Sequence, residues 1–170
     1  MAQRIYLISC GGTIEKVYSE TSGTVRNVDF KLDRYLQLLR LPDLEFDTVR
    51  LMNKDSLEMT EADRDLVLAT VRAKLVDQAA PFVITHGTDT MVETGMHLKL
   101  NLPHLSVPIV LTGAMTPLGF ERSDVLQNLT ESLIAARILG PGVWLVMHNQ
   151  VFPIDRVKKD RERAVFVALS

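Results

Sequence analysis

A chain of 170 residues is long enough to form one hydrophobic core of ordinary size. Its hydrophobic fraction of 46% and charged fraction of 24% are typical of a soluble globular protein, and no apolar run approaches the roughly 20 residues that span a bilayer. The net charge of -2 gives no general electrostatic reason to bind nucleic acid. We therefore expect a single domain over residues 1–170 that binds neither a membrane nor nucleic acid.

The amino-terminal sequence and the cysteine content predict the cellular compartment of the protein. The first stretch of the chain has one basic residue, Arg4, and an apolar run too short for a secretory signal. The single cysteine, Cys10, cannot form an internal disulfide bond and fits a reducing environment. We expect a cytoplasmic protein in which Cys10 is a small buried residue at a strand end rather than a nucleophile.

Apolar, strand-like runs alternate with helical patterns along the chain. Strands are predicted at residues 5–9, 46–52, 82–85, 107–112 and 143–147. Such alternation predicts βαβ units and a three-layer α/β/α fold around a mostly parallel, doubly wound sheet. Because the connections in such units are right-handed, loops distant in sequence should gather at one edge of the sheet.

Helical periodicity is clearest in two segments. A helix over residues 60–78 is expected to begin with a weak capping box formed by Thr60 and Asp63. Its predicted buried face consists of Ala62, Leu66, Ala69, Ala73 and Val76. A second helix, over residues 122–139, is expected to bury Val125, Leu129, Leu133 and Ala136.

Three further segments complete the predicted organisation. A short helix is expected near residues 32–40, and another helix begins near Thr90. Residues 10–30 are rich in Gly, Ser, Thr and charged residues, and they are predicted to form a long functional or mobile loop.

The first strand leads into Gly11, Gly12 and Thr13. Two glycines permit a sharp turn and a close approach of a ligand to the backbone, with the Thr13 hydroxyl at the strand end. Glu15 and Lys16 stand where a dinucleotide-binding loop needs further glycines. A nucleotide-binding loop is therefore disfavoured.

The segment Ile-Thr-His-Gly-Thr-Asp-Thr-Met occupies residues 84–91 and follows a predicted buried strand. Ligands of open α/β sheets bind at such strand ends. Thr88 or Asp89 can cap the helix that follows, and this structural alternative stays open. Capping alone leaves unexplained why so many polar residues crowd one turn, namely Thr85, His86, Thr88, Asp89 and Thr90.

Nucleophilic chemistry is the functional interpretation of this turn. A threonine hydroxyl attacks efficiently once a base has removed its proton, and a lysine of lowered pKa can be that base. Lys158 and Lys159 are the candidates, and Asp89 can orient the lysine or bind the ammonium group of a substrate. His86 is either a general base or, more commonly for a lone histidine, structural. No Cys/His cluster or His-Glu-x-x-His pattern occurs, so no metal is expected.

Two other loops place polar or small groups at the same edge. Asp55 and Ser56 follow the second predicted strand. Gly113 and Ala114 follow the fourth, where free backbone groups can contact a ligand or an oxyanion, although an ordinary βα turn is an equal alternative.

Together these motifs resemble the bacterial-type L-asparaginases. The resemblance extends from about residue 4 to about residue 166 and matches the amino-terminal catalytic domain of that family. It is carried, in the family order, by Gly11-Gly-Thr-Ile14, Asp55-Ser56-x-x-Met59, Thr85-His-Gly-Thr-Asp-Thr-Met91, Thr112-Gly-Ala-Met115 and Val157-x-Lys159.

The resemblance implies a reaction and residue roles. The family hydrolyses L-asparagine to L-aspartate and ammonia through an acyl-enzyme, without a metal or cofactor, and some members accept glutamine. Thr13 then corresponds to the attacking threonine, and Thr88, Lys159 and Asp89 to the second threonine with its lysine and aspartate. Asp89 also holds the α-amino group of the substrate and Ser56 its α-carboxylate. Further substrate contacts are implied for Gly12, Asp55, Gly87 and Ala114, with the Thr88 backbone N–H as an oxyanion donor.

The chain departs from the family pattern in two places. Family members continue into a smaller second domain that lends residues across a subunit interface, and this sequence is expected to lack that domain. The family's catalytic tyrosine aligns with Gly23, so Tyr18 is predicted to take its place, and Glu15 and Lys16 replace small residues. A homodimer or homotetramer is expected from the family. The alternatives are a weakly active sensor that binds an amino acid, or an amidase for glutamine or another amide.

Overall fold

The computed structural model describes residues 2–169, which contain ten strands and four helices. The strands are β1 (Gln3–Gly11), β2 (Lys16–Ser19), β3 (Thr24–Asn27), β4 (Leu44–Lys54), β5 (Phe82–Thr85), β6 (Pro108–Thr112), β7 (Gly142–Met147), β8 (Gln150–Pro153), β9 (Val157–Asp160) and β10 (Val165–Ala168). The helices are α1 (Leu32–Leu38), α2 (Glu61–Asp77), α3 (Met91–Asn101) and α4 (Val125–Ile138). Short 3₁₀ turns occupy Thr13–Glu15, Ser56–Glu58 and Ile154–Arg156.

Six strands form the central sheet in the order β4-β1-β5-β6-β7-β8. Every neighbouring pair is parallel except β7 with β8. The five predicted strands correspond to β4, β1, β5, β6 and β7, so the mostly parallel α/β sheet is confirmed. The carboxyl ends of β1, β4, β5 and β6 lie side by side, and the loops that follow them form one edge.

Helices cover both faces of the sheet. Alternate residues of β1 point to opposite sides, since Tyr6 and Ile8 belong to the core with α2 and α3, whereas Ile5 and Leu7 belong to the core with α1 and α4. Burial on both faces explains why the sheet strands are nearly continuous apolar runs. The three-layer arrangement is therefore as predicted.

The predicted buried face of α2 is wrong. The capping box of Thr60 and Asp63 is present in full, but all five residues predicted to face the sheet are exposed. The helix instead buries Val67, Leu68 and Val71. Because this stripe consists of large branched side chains while the predicted stripe contains three alanines, its burial removes more apolar area from water. On α4 the predicted residues Val125, Leu129, Leu133 and Ala136 are all buried.

The long loop predicted over residues 10–30 is also wrong. After the Thr13–Glu15 turn the chain forms an antiparallel hairpin of β2 and β3, with Tyr18 opposite Val25. Gly23 occupies the tip with a φ of 65°, which glycine adopts without steric cost. The hairpin was missed because the two strands are short and polar. Within residues 2–169 no helix is both long and apolar enough to cross a membrane.

Candidate functional site

The turns after β1 and β5 are in direct contact. A Cβ atom on Gly12 would lie 2.4 Å from the Cα of Gly87, and one on Gly11 would lie 2.4 Å from the backbone N of Lys54. Gly11 and Gly12 also have φ angles of 97° and 81°. Glycine is therefore required on both conformational and steric grounds. This packing brings Thr13, which is partly exposed, beside the turn that carries Thr88.

Thr88 is joined to a lysine from a distant part of the chain. Lys159 Nζ lies 2.7 Å from Thr88 Oγ1 and 3.1 Å from Asp89 Oδ1. Lys159 is held on β9, opposite Phe166 of β10, and its side chain is only 15% exposed. The hydroxyl, amine and carboxylate thus form one hydrogen-bonded cluster, which pairs a weak nucleophile with a candidate base.

The capping alternative for Thr88 and Asp89 is wrong. Helix α3 has Thr90 as its N-cap residue, and no side chain caps it. Thr90 Oγ1 instead donates a hydrogen bond to the carbonyl oxygen of Ser56, 2.8 Å away. That bond ties the start of α3 to the turn after β4. Thr90 thus contributes a contact between loops rather than a helix cap.

Ser56 lies against the same turn. Its side chain is buried, and its Oγ atom has no hydrogen-bond partner among residues 2–169. A Cβ atom on Gly87 would lie 2.5 Å from this oxygen, so only glycine permits the approach. A buried hydroxyl without a partner is uncommon in folded proteins.

Asp55 forms an ion pair with Lys16, whose Nζ lies 2.7 Å from Asp55 Oδ2. The bond from Lys16 holds the pKa of Asp55 below its usual range. The other carboxylate oxygen accepts a hydrogen bond from the backbone N of Leu57, at 3.1 Å. Lys16 is therefore paired with the carboxylate that directly precedes Ser56 in the chain.

His86 is structural rather than a base. It is fully buried, its Nδ1 lies 2.8 Å from the carbonyl oxygen of Gly87, and its Nε2 lies 2.8 Å from Thr94 Oγ1. Burial lowers the pKa of His86 to about 4, so the ring is neutral near pH 7. A neutral ring donates from Nδ1 to the Gly87 carbonyl and accepts at Nε2 from Thr94. Because the next peptide bond is trans, a fixed Gly87 carbonyl also fixes the direction of the Thr88 N–H.

The sequence of this chain matches the model of a known protein family. The family model "Asparaginase, N-terminal" matches residues 4–166. The chain belongs to the asparaginase family. The resemblance inferred from the five motifs is thereby confirmed.

Relatives of this asparaginase domain include longer proteins. L-asparaginase 1 of Escherichia coli strain K12 is 34% identical over 163 residues, which cover 91% of this chain and 47% of that protein. The structure of the thermostable L-asparaginase from Thermococcus kodakarensis superposes with a TM-score of 0.84 at 26% identity, covering 98% of this chain and 51% of the other. A glutamyl-tRNA(Gln) amidotransferase component of Methanococcus vannielii is 28% identical over 150 residues, covering 88% and 35%. The chain thus spans about half the length of the L-asparaginases that it matches.

In this asparaginase domain, Ala114 lies in the loop that follows β6. Ala114 is buried, and the next two residues are held by Asp124. Asp124 accepts hydrogen bonds from the backbone N of Met115 and Thr116. Its carboxylate also accepts from Asn128 Nδ2 at 2.8 Å and lies 2.7 Å from His148 Nε2. Burial alone would raise the pKa of Asp124, but these backbone and side-chain donors outweigh it and leave the pKa below its usual range.

Sequence reasoning missed Asp124 as a residue that organises this loop. The sequence places Asp124 immediately before α4, and an aspartate at that position is normally interpreted as a helix cap. Asp124 is indeed the N-cap residue, but its side chain makes no cap bond and turns to the preceding loop instead.

Tyr18 lies on the hairpin of the asparaginase domain. Its side chain is 58% exposed, and its predicted role in activating Thr13 stays a prediction. Glu15, between Thr13 and the hairpin, is fully buried and accepts a hydrogen bond from Ser9 Oγ at 2.7 Å and another from the backbone N of Lys31. Burial raises the pKa of Glu15. Glu15 thus fastens the Thr13 turn to β1 and to the start of α1.

Two other predictions concern thiol and metal chemistry. Cys10 is buried in β1, and burial raises the pKa of its thiol to about 12, so it carries no thiolate at neutral pH. No group of three or more His, Cys, Asp or Glu side chains that could hold a metal ion occurs in residues 2–169.

Proposed function

We propose that this asparaginase domain is an amidohydrolase that converts L-asparagine to L-aspartate and ammonia. The observation that carries the proposal is the bond between Lys159 and Thr88, placed beside the Gly12–Thr13 turn. Hydroxyl nucleophiles with an amine base and an anchoring carboxylate suit amide hydrolysis. The name of the E. coli relative supports the choice of asparagine.

In the proposed reaction Thr13 Oγ1 attacks the amide carbon and forms a C–O bond. The hydroxyl proton passes through the Thr88–Lys159 pair to the amide nitrogen, the C–N bond breaks, and ammonia leaves. Water then attacks the aspartyl ester of Thr13, which releases aspartate and restores the hydroxyl. The Thr88 backbone N–H, aimed by His86, is the proposed donor to the negative oxygen of the tetrahedral intermediate.

Substrate binding is assigned to the groups around this centre. Asp89 is proposed to bind the α-amino group and Ser56 the α-carboxylate, with its buried Oγ atom as the donor. Gly12, Gly87 and Ala114 form the adjoining backbone surface, and Asp55 together with Lys16 closes the carboxylate end.

Ammonia release from the purified protein tests the proposal. Wild type is expected to release ammonia from asparagine, and the Thr13→Ala and Lys159→Met variants are expected to lose nearly all of it while remaining folded by circular dichroism. If wild type binds asparagine by calorimetry but releases no ammonia, the enzyme hypothesis is wrong and an amino-acid sensor takes its place.

A second candidate is hydrolysis of another amide, such as glutamine or an amide within a larger assembly. Similarity to an amidotransferase component favours it. Parallel assays with glutamine measure this directly, since a higher kcat/KM for glutamine than for asparagine would reverse the substrate assignment.

The assembly and location of the protein remain part of the proposal. We expect a homodimer or homotetramer that acts on a small amino-acid substrate in the cytoplasm without a cofactor. Sedimentation that shows a fully active monomer would contradict the expected assembly.

A further inference from the structure

The carbonyl oxygen of Gly12, the residue directly before Thr13, accepts two hydrogen bonds. One comes from Asn27 Nδ2 at 2.8 Å and the other from the backbone N of Glu15 at 3.1 Å. Asn27 lies half-buried on the polar strand β3, and no sequence pattern marks it as part of the site. In the folded chain its amide group reaches the backbone beside the proposed nucleophile.

The partners of Asn27 fix the orientation of its amide group. A carbonyl oxygen only accepts hydrogen bonds, so the NH₂ group of Asn27 must face Gly12. The same Nδ2 atom donates to Asn53 Oδ1 at 2.9 Å, and Asn53 Nδ2 donates to the carbonyl oxygen of Asp29 at 3.1 Å. Both N–H bonds of the Asn27 amide therefore have acceptors, which hold the side chain in one position.

The turn that carries Thr88 is held in a similar way. His86 Nδ1 lies 2.8 Å from the carbonyl oxygen of Gly87, directly before Thr88. Asn27 makes the corresponding contact with the carbonyl oxygen directly before Thr13. A side chain thus holds the peptide group that leads into each of the two threonines of the proposed mechanism.

Glycine at position 12 makes such a contact necessary. Gly12 has a φ of 81°, and glycine adopts many backbone conformations, so its own sterics do not fix the direction of the next residue. Its N–H donates to the carbonyl oxygen of Lys54 at 2.8 Å, which holds only one side of the residue. Because the peptide bond to Thr13 is planar and trans, holding the Gly12 carbonyl also holds the plane from which Thr13 leaves.

We propose that Asn27 is a positioning residue that holds the Gly12–Thr13 peptide plane and thereby aims the Thr13 hydroxyl at the amide carbon. The proposal rests on the amidohydrolase function with Thr13 as nucleophile, and it names a residue that keeps this nucleophile in place. Asn27 acts through the Gly12 carbonyl rather than by contact with the substrate. Its loss should therefore slow the reaction much more than it weakens binding.

Two variants, Asn27→Ala and Asn27→Leu, remove the donors, and leucine keeps about the same side-chain volume. We expect kcat for ammonia release from asparagine to fall about 10–100-fold in both, because a displacement of about 1 Å at a reacting group can cost about 10²-fold in rate. Calorimetric affinity for L-aspartate, the product, should change less than about threefold, since no substrate contact is removed. Asn101→Ala is the matched control, because Asn101 Nδ2 also donates to a backbone carbonyl oxygen, that of His97 at 2.9 Å, but lies exposed at the end of α3.

Amide hydrogen exchange tests the contact without any need for activity. The Glu15 N–H donates to the Gly12 carbonyl oxygen, so its exchange rate, measured by NMR, reports how firmly that carbonyl is held. We expect this exchange to become about 2–10-fold faster in both Asn27 variants, as loss of one hydrogen bond typically allows, and to be unchanged in Asn101→Ala. Unchanged exchange along α4 shows that the fold is intact.

The outcomes separate the two proposals. Unchanged exchange at Glu15 in the Asn27 variants overturns the hold on the turn, whatever the activity. Faster exchange with unchanged kcat, a loss of affinity as large as the loss of kcat, or an equal loss in Asn101→Ala overturns the positioning role while ammonia release keeps the amidohydrolase.

Two further results are also decisive. Exchange that accelerates throughout α4 in both Asn27 variants would make Asn27 a residue of the fold rather than of the site, which overturns the proposal. If wild type releases no ammonia, the amidohydrolase fails and the aiming of Thr13 fails with it, and exchange at Glu15 decides whether Asn27 holds the turn.

Discussion

Lys159 Nζ and Thr88 Oγ1 lie 2.7 Å apart although the two residues are 71 positions apart in the chain. Lys159 lies on β9, which pairs with β10 in a two-stranded sheet separate from the central one. Two separate parts of the chain therefore assemble the proposed proton-transfer pair.

Replacing Lys159 by methionine is expected to lower kcat for ammonia release by about 10²–10⁴-fold, because general-base catalysis typically contributes that much. Lys158→Met is the matched control, since Lys158 is the exposed neighbour on the same strand. Steady-state ammonia assays measure both. A Lys159→Met variant as active as the control would remove the lysine from the mechanism.

Tyr18→Phe is expected to lower turnover more than it weakens substrate binding if the phenol activates Thr13. The exposed position of Tyr18 implies that the hairpin must place the ring over the site during the reaction. Comparison of kcat with the calorimetric affinity separates the two effects. Val25→Ala alters the cross-strand partner without removing the hydroxyl and controls for a loosened hairpin. Unchanged turnover in Tyr18→Phe would show that its hydroxyl has no catalytic part.

Gly87→Ala is expected to displace Ser56, because the new Cβ atom would lie 2.5 Å from Ser56 Oγ and 2.6 Å from Ser56 Cβ. We expect a raised KM and a loss of about 1–3 kcal/mol in the free energy of unfolding. Gly140→Ala serves as the control, since a Cβ there meets nothing within 4 Å. Urea unfolding and steady-state kinetics measure the two effects, and similar behaviour of the two variants would disprove the close packing.

His86 is expected to make the fold sensitive to acid. Its folded pKa of about 4 lies below the ordinary value of 6.5, so above pH 6.5 the ring is neutral in both states and contributes nothing. As the pH falls from 6.5 to about 4, only the unfolded chain takes up the proton. The free energy of unfolding should therefore fall by on the order of 3 kcal/mol.

Urea titrations at pH 7.5 and pH 4.5 measure this loss, with the pH values chosen as about one unit above the ordinary pKa and near the folded pKa. His86→Asn provides the comparison, because asparagine keeps a polar donor but does not titrate. The difference between the two pH values should be smaller in the variant. Equal differences would mean that His86 is protonated in the folded protein.

Local sequence patterns predicted much of the fold. The five main strands and helix α4 were visible because their residues follow periods set by backbone geometry. Helix α2 shows where the pattern was insufficient. The helix carries two apolar stripes. Packing against the sheet buries the stripe of Val67, Leu68 and Val71 and leaves the predicted stripe exposed.

The candidate site was likewise predicted in part from the sequence and decided in part by the tertiary structure. The sequence alone determined which residues can do chemistry, because the glycine turns and hydroxyls of Gly12–Thr13 and Gly87–Thr88 follow apolar strands and carry family motifs. Only the tertiary structure decided that Asn27 reaches the Gly12 carbonyl and that Asp124 holds the loop beside Ala114. Such contacts join segments that are distant in sequence or turn a side chain away from its local role. Their energies depend on distance and burial in the folded chain, which no local pattern encodes.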